Sequence, residues 1–286
     1  MEFRALGPME VLSDGGTVDI GAPKQRALLA LLLIHANQVV STDRILDELW
    51  GDDAAGKENA LWVHISRLRS ALEPGRAGRG ESTVLLKRGS GYMLKVDVNE
   101  FDVTRFDGLV GEGRAVLAEN PARAHELISE ALHLWRGPAY DDVRYEQFAQ
   151  VELARLEEAR VSALEDRIEA DLKCGQDGEL VSELEVLRSS YPLRERPVCQ
   201  LMLALYRSGR PAEALRAFDR FRRLLGDETG LEPSPALCRL EEQVVLHDVH
   251  LRRPTTAGPP ESSAASAVNP FKGLRPFLEE DSHQFF

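Results

Sequence analysis

The hydrophobic period changes repeatedly within the first 95 residues, and the order of those changes restricts the fold more than any other feature of the chain. Short β-type runs come first: Phe3-Arg4-Ala5-Leu6, Met9-Glu10-Val11-Leu12 and Val18-Asp19-Ile20, with Gly and Asp between them as turns require. From Lys24 the spacing becomes helical, with Leu28, Leu29, Leu32 and Leu33, and this helix is predicted to end near Asn37. Ser41 and Thr42 suit the N-cap of a second helix whose stripe is Ile45, Leu46 and Leu49, stopping at Trp50-Gly51. A third helix is predicted from about Lys57 to Leu72, because Leu61, Ile65, Leu68 and Leu72 share one face. After Glu73-Pro74-Gly75, the runs 83–86 and 92–95 flank Lys87-Arg88-Gly89-Ser90-Gly91 and read as a hairpin. Strands, three helices and a hairpin make a helix-turn-helix with a β-wing, behind a small N-terminal β-sheet.

Residues 101–250 carry almost no strand signal. Helices are predicted near 103–118, 121–135, 145–174, 177–190, 195–208, 211–226 and 234–250, punctuated by proline. Ala170–Gly175 aligns with Ala204–Gly209, and Leu184 and Leu187 align with Phe218 and Phe221, all at an offset of 34 residues. That is the tetratricopeptide period, and it implies stacked helix pairs with a concave face. The fold class is therefore mainly α: a winged helix-turn-helix with a small N-terminal β-sheet and C-terminal β-hairpin, then an all-α tetratricopeptide-like domain. The expected division is 1–97, 98–251 and 252–286. The stretch 252–268 is rich in Pro, Thr, Ser and Ala and reads as a linker.

Charge is where composition enters. The 286 residues hold 35 Lys and Arg against 47 Asp and Glu, a formal net charge of −12, which by itself argues against nucleic acid. The distribution reverses that inference. Residues 1–56 hold four basic and nine acidic side chains, whereas residues 57–95 hold eight basic (Lys57, Arg67, Arg69, Arg76, Arg79, Lys87, Arg88, Lys95) and three acidic. The positive part is thus confined to the third helix and the hairpin, the two elements a winged helix presents to DNA, and a local basic face is what phosphates feel. The acidic helical region is repelled by DNA and is expected to point away from it, toward other partners.

Other chemistries lack their motifs. There is no phosphate-binding Gly-rich loop with Lys, no nucleophile elbow and no zinc spacing of His and Cys, so neither an enzyme nor a cofactor nor a metal is expected. Cys174, Cys199 and Cys238 lack a C-x-x-C pair and read as reduced thiols of a cytoplasmic protein. The longest apolar run, Ala27–Ile34, is far shorter than the ~20 residues of a membrane span.

At about 100° per residue, the side of the third helix opposite its apolar stripe carries Asn59, Val63, Ser66, Arg67 and Ser70. Arg can bond guanine bidentately, Asn can bond adenine, and Val can touch a thymine methyl. His64 and Arg69 flank this face, placed for phosphates. Each assignment has an alternative: Arg67 as a solvated arginine, His64 as a packed core-edge histidine, Trp62 as domain packing rather than a DNA contact, and Lys87 and Arg88 as a solubilising loop. The candidate set also takes in Lys57 at the helix start and Ser90 in the hairpin loop. A wing arginine suits the narrow minor groove or its phosphates.

Trp50-Gly51, Val63-His64-Ile65-Ser66-Arg67-Leu68-Arg69, Ala71-Leu72-Glu73-Pro74 and Arg88-Gly89-Ser90-Gly91-Tyr92, in that order, resemble the OmpR/PhoB-type winged-helix domain. The resemblance implies that Asn59, Val63 and Arg67 approach bases, that Trp50, His64 and Arg69 approach phosphates, and that Arg88 sits in the wing. Unlike a response regulator, the chain is expected to open with this domain and to carry no receiver domain ahead of it. With Phe106, Ala131–Gly137, Gly209–Leu215 and Gly230–Pro235 downstream, residues 1 to about 250 resemble the SARP family, whose second part is the bacterial transcriptional activator domain. The resemblance implies an activator that binds direct repeats in double-stranded promoter DNA and touches RNA polymerase and its sigma factor. It would act as a homodimer or as tandem protomers, in the cytoplasm at the nucleoid. A repressor of the same architecture, or an interaction scaffold with a vestigial winged helix, are the alternatives. The tail Asn269–Phe277 is similar to the segment opening a STAND-type NTPase module in large SARP regulators, so the chain is expected to be the N-terminal part of a longer protein.

Overall fold

The run Ala27–Leu33, apolar on every side, lies in the helix α1 (Pro23–Ile34) and is buried at all seven positions. A helix with no polar face must be covered all round, and the rest of the first half is arranged to do so. The computed structural model describes residues 1–75 and 82–251, and residues 1–251 form one compact unit. The readings placed on 252–286, and on Arg76 and Arg79, lie outside the described residues.

Ahead of α1 stand β1 (Glu2–Arg4), β2 (Glu10–Ser13) and β3 (Gly16–Thr17), an antiparallel sheet in that order with Phe3 opposite Val11. The third strand was expected at Val18–Ile20. It forms two residues earlier, after the Asp14-Gly15 turn, and only the Val18 amide continues the pairing, donating to the Val11 carbonyl at 2.8 Å. Next come β4 (Val40–Ser41), α2 (Thr42–Trp50) and α3 (Glu58–Leu72). Ser41 caps α2 as expected, its Oγ accepting the Arg44 amide at 3.2 Å. β5 (Leu85–Arg88) and β6 (Gly91–Leu94) make the hairpin. Its loop is two residues, Gly89-Ser90, not five, because Arg88 pairs directly with Gly91. The wing is a three-stranded sheet, β4-β6-β5; Val40, opposite Tyr92, was not legible as a strand of only two residues.

The helical half comprises α4 (Asp102–Val116), α5 (Pro121–His133), α6 (Gln150–Cys174), α7 (Asp177–Ser190), α8 (Glu195–Arg207), α9 (Pro211–Thr229) and α10 (Pro235–Val245). The 34-residue repeat is structural: α7 and α9 begin 34 residues apart. The turn before each is closed by equivalent bonds, Gln176 N–H to the Asp171 carbonyl (3.0 Å) and Arg210 N–H to the Leu205 carbonyl (2.9 Å). Leu184, Leu187, Phe218 and Phe221 are buried at matching places in one core.

Among the described residues there are two cores, and the first continues across residue 97. One extends from Phe3 to Ala163 and includes α1, the α3 stripe, and Phe106, Ile128 and Tyr140 of the helical half. The other runs from Val161 to Leu251. The winged helix is fastened to the helical half through backbone groups. Asp102, at the first turn of α4, accepts the Ala5 amide (2.8 and 2.9 Å) and the Leu6 amide (2.9 Å). The carbonyls of Leu6 and Ala5 accept the amides of Arg136 and Tyr140, both at 2.7 Å. Burial pushes the Asp102 carboxyl above the usual carboxylate range, partly offset by the Leu6 and Ala5 amides and the Arg136 guanidinium. Removing this acceptor would leave two buried N–H groups unpaired. Asp102→Ala is therefore expected to cost about 2–5 kcal/mol, read from denaturant unfolding at neutral pH; a change below about 0.5 kcal/mol would contradict this role for the carboxylate.

Candidate nucleic-acid interface

The α3 stripe sets what the rest of the helix can face. Leu61, Ile65, Leu68 and Leu72 are all buried, so the opposite side is turned to solvent. There Asn59, Val63, Arg67 and Ser70 are exposed and Ser66 is half-buried. The Ser70 hydroxyl donates to the Ser66 carbonyl at 3.1 Å. Lys57, half-buried, precedes the first turn. Trp62 is 66% exposed, so it does not pack against another part of the described chain, and Val63 beside it is 38% exposed. Two apolar side chains next to Asn59 and Arg67 make a mixed surface able to meet both methyl groups and base-edge acceptors.

The wing sits beside this helix. Gly89 has φ +55° at the first central position of the two-residue turn, where L side chains are strained. Gly91 passes so close to β4 that a Cβ there would lie 2.3 Å from the Val40 carbonyl oxygen. Ser90, exposed, gives its carbonyl to both the Thr42 amide (2.9 Å) and the Thr42 hydroxyl (2.6 Å). Lys87 and Arg88 were expected together at a loop tip. Both are exposed, but both lie in β5, where alternation puts them on opposite faces of the ribbon. Lys87 is opposite Tyr92, on the face whose Leu85, Tyr92 and Leu94 are buried; Arg88 is on the other face.

The unengaged arginines coincide with this surface. Among the described residues, Arg67 and Arg88 are the arginines with no hydrogen bond, ion pair or aromatic ring contact, and Lys57 and Lys87 have no ion pair either. Elsewhere the guanidinium groups are engaged, as in Arg194 with Glu158 and Glu165, or Arg167 with Asp171.

Three members of the candidate set are placed differently from freely projecting contacts. Trp50 and His64 pack on each other across the α2–α3 junction, ring centroids 6.1 Å apart. His64 Nδ1 is buried without a partner among the described residues, which favours a neutral ring with its proton on Nε2. Arg69 is half-buried, its Nε donating to the Leu85 carbonyl at 2.9 Å and its guanidinium 5.8 Å from the Tyr92 ring centre. Thr42 and Tyr92, which hold the wing, were absent from the sequence-based set. Only backbone pairing discloses them.

Burial, then the positive charges of Arg67 and Lys24, hold the His64 imidazole below its usual value of 6.5. The unfolded chain therefore takes up this proton at higher pH than the folded chain, so stability is lost as pH falls through the region below that value. Denaturant midpoints between about pH 7 and pH 5.5 should decline for the native chain and decline less for His64→Phe. His35, also depressed by burial first, adds to the slope in the same direction. Identical slopes in both proteins would rule out this linkage.

Comparison with known proteins gives a consistent result. The family model described as "Transcriptional regulatory protein, C terminal" matches residues 18–94, and that described as "Bacterial transcriptional activator domain" matches residues 101–245. Regulatory protein AfsR of Streptomyces coelicolor is 38% identical over 279 residues, covering 96% of this chain but 26% of AfsR. Transcriptional regulator RedD of the same organism is 37% identical, covering 89% of this chain and 73% of RedD. Regulatory protein DnrI of Streptomyces peucetius is 35% identical, covering 94% and 99%. The chain thus spans about a quarter of one relative and nearly all of another. A solved structure of Mycobacterium tuberculosis EmbR, there in complex with a low-affinity phosphopeptide, matches with a TM-score of 0.80 at 34% identity, over 86% of this chain and 65% of that one.

Proposed function

The chain belongs to the SARP family of transcriptional regulators, and on that premise we propose that it is a sequence-specific DNA-binding protein that activates transcription. The observation that carries this reading is the pair of unpaired arginines, Arg67 on α3 and Arg88 on the wing. An arginine left without a partner beside two other free cations is poised for an anionic ligand, and a helix flanked by a ribbon matches the major groove and the neighbouring backbone of duplex DNA. In this reading α3 lies in the major groove. Arg67 meets guanine, Asn59 adenine and Val63 a thymine methyl, with Ser66 and Trp62 at the edge of that contact. Arg88 reaches the minor groove or its phosphates, while Lys57, Lys87, Ser90, Trp50 and His64 line the backbone.

Residues 1–97 would bind promoter DNA, and residues 98–251 would hold RNA polymerase and its sigma factor. Protomers would sit on direct repeats as a homodimer or in tandem, on the nucleoid in the cytoplasm. Among the described residues no helix is long and apolar enough to cross a membrane.

Arg67→Ala should weaken binding to a duplex selected from a random pool by about 1–3 kcal/mol, and weaken binding to unselected duplex far less. Fluorescence anisotropy on both duplexes measures this. Equal loss on the two would leave Arg67 as a general phosphate contact and remove the sequence-specific reading at that position. Run-off transcription from a promoter carrying the selected site should rise with added protein; a fall would make the protein a repressor.

A further inference from the structure

Two arginines on α3 separated by one residue have opposite fates. Arg67 is exposed without a partner, and Arg69 is half-buried with its Nε on the Leu85 carbonyl. At about 100° per residue they point roughly 200° apart, so they cannot serve one surface. The Leu85 carbonyl that Arg69 engages belongs to β5, an edge strand of the wing sheet. Its neighbour Val84 turns its carbonyl the other way, to accept the Lys95 amide at 2.8 Å, so the bond to Arg69 lies on the open edge. The same guanidinium stands 5.8 Å from the ring centre of Tyr92 in β6, and Tyr92 pairs with both Val40 and Lys87. One side chain of the recognition helix therefore touches two strands of the wing. At the far end, Thr42 holds Ser90 by two bonds to one carbonyl. Arg88 lies between these fastenings, three residues from Leu85, or about 10 Å along the strand.

We propose that Arg69 is a positioning residue that sets the wing against α3 and acts in DNA binding through Arg88, with no phosphate contact of its own. This inference rests on the DNA-binding reading given above. A planar guanidinium can donate along its edge to a carbonyl while its face lies on an aromatic ring; an ammonium group at the same place cannot do both. The distance between the helix in one groove and the wing at the next is then decided by a bond between side chain and backbone. The consequence for binding is coupling: weakening the fastening loses part of what the wing contributes, Arg88 included, and takes away no phosphate contact made by Arg69 itself.

The test has two arms on the full chain. Hydrogen exchange without DNA compares Arg69→Gln and Arg69→Lys with the native protein. The β5–β6 amides should exchange about 10–100-fold faster in Arg69→Gln, with α1 amides unchanged to show that the fold is intact, and Arg69→Lys should not restore protection. Unchanged wing exchange overturns the inference. The second arm is a double-mutant cycle with Arg88→Ala on the selected duplex across a salt series. The losses from Arg69→Gln and Arg88→Ala should be coupled, the combined variant falling short of the product of the two single losses by more than about twofold. If the two losses multiply, if Arg69→Lys restores affinity, or if the logarithmic salt slope falls by a further ~0.9 for Arg69→Gln in the Arg88→Ala background, Arg69 is an independent phosphate contact and the inference fails. A native chain with no salt-dependent binding to any duplex would instead overturn the DNA-binding reading, and the exchange arm would still decide whether Arg69 holds the wing.

Discussion

Helix α1 has no polar face between its ends, and everything nearby follows from having to cover it. The winged helix covers one part, through α2, α3 and β6. The turns at Asp141–Val143 and Gln147–Ala149 of the helical half cover another. A winged helix made of residues 1–97 alone would leave apolar surface exposed, and each buried leucine there is worth about 1.5–3 kcal/mol. The two halves therefore share one core, which explains why residues 1–251 form a single unit although two family models meet near residue 97.

The docking has a defined geometry because it is made from directional bonds as well as apolar contact. Asp102 and the Leu6 and Ala5 carbonyls hold the N-terminal segment from both sides. Arg26 of α1 and the Met9 amide share Asp142 at 2.8 and 2.6 Å. The long helix α6 then carries the chain from the first core to the second. Between the cores its buried Glu165 and Asp166 are paired with Arg194 (2.7 Å), Arg196 (2.6 Å) and Arg114 (2.5 Å). A buried carboxylate is tolerated only when paired and hydrogen-bonded, so this layer fixes the angle between α4, α6 and α8 more than it adds stability. The acidity that made the whole chain look unsuited to DNA is in part consumed internally here.

Much of this was legible beforehand wherever a pattern is local. The α3 stripe, the seven downstream helices and the 34-residue repeat each depend on spacing within a short window, and the structure places them close to where they were expected, although α6 begins at Gln150 instead of 145 and α10 ends at Val245 instead of 250. The two-residue strand β4 and the tight register of the hairpin were missed, because a short strand has no periodicity to detect and its pairing is settled by a distant partner. The shared core was missed for a similar reason: an apolar helix announces that it is buried but not against what.

The candidate interface shows the same division at the level of single residues. The sequence by itself determined that a helix with Asn59, Val63 and Arg67 opposite its apolar face would be followed by a basic hairpin, because side-chain periodicity and charge are written in residue identity. Only the tertiary structure decided that Arg67 stays free while Arg69 holds the wing, that Lys87 and Arg88 face opposite ways, and that Thr42 secures Ser90. Those decisions run through the carbonyls of Leu85 and Ser90. Every residue has a carbonyl, so nothing in the sequence marks which one a side chain will find.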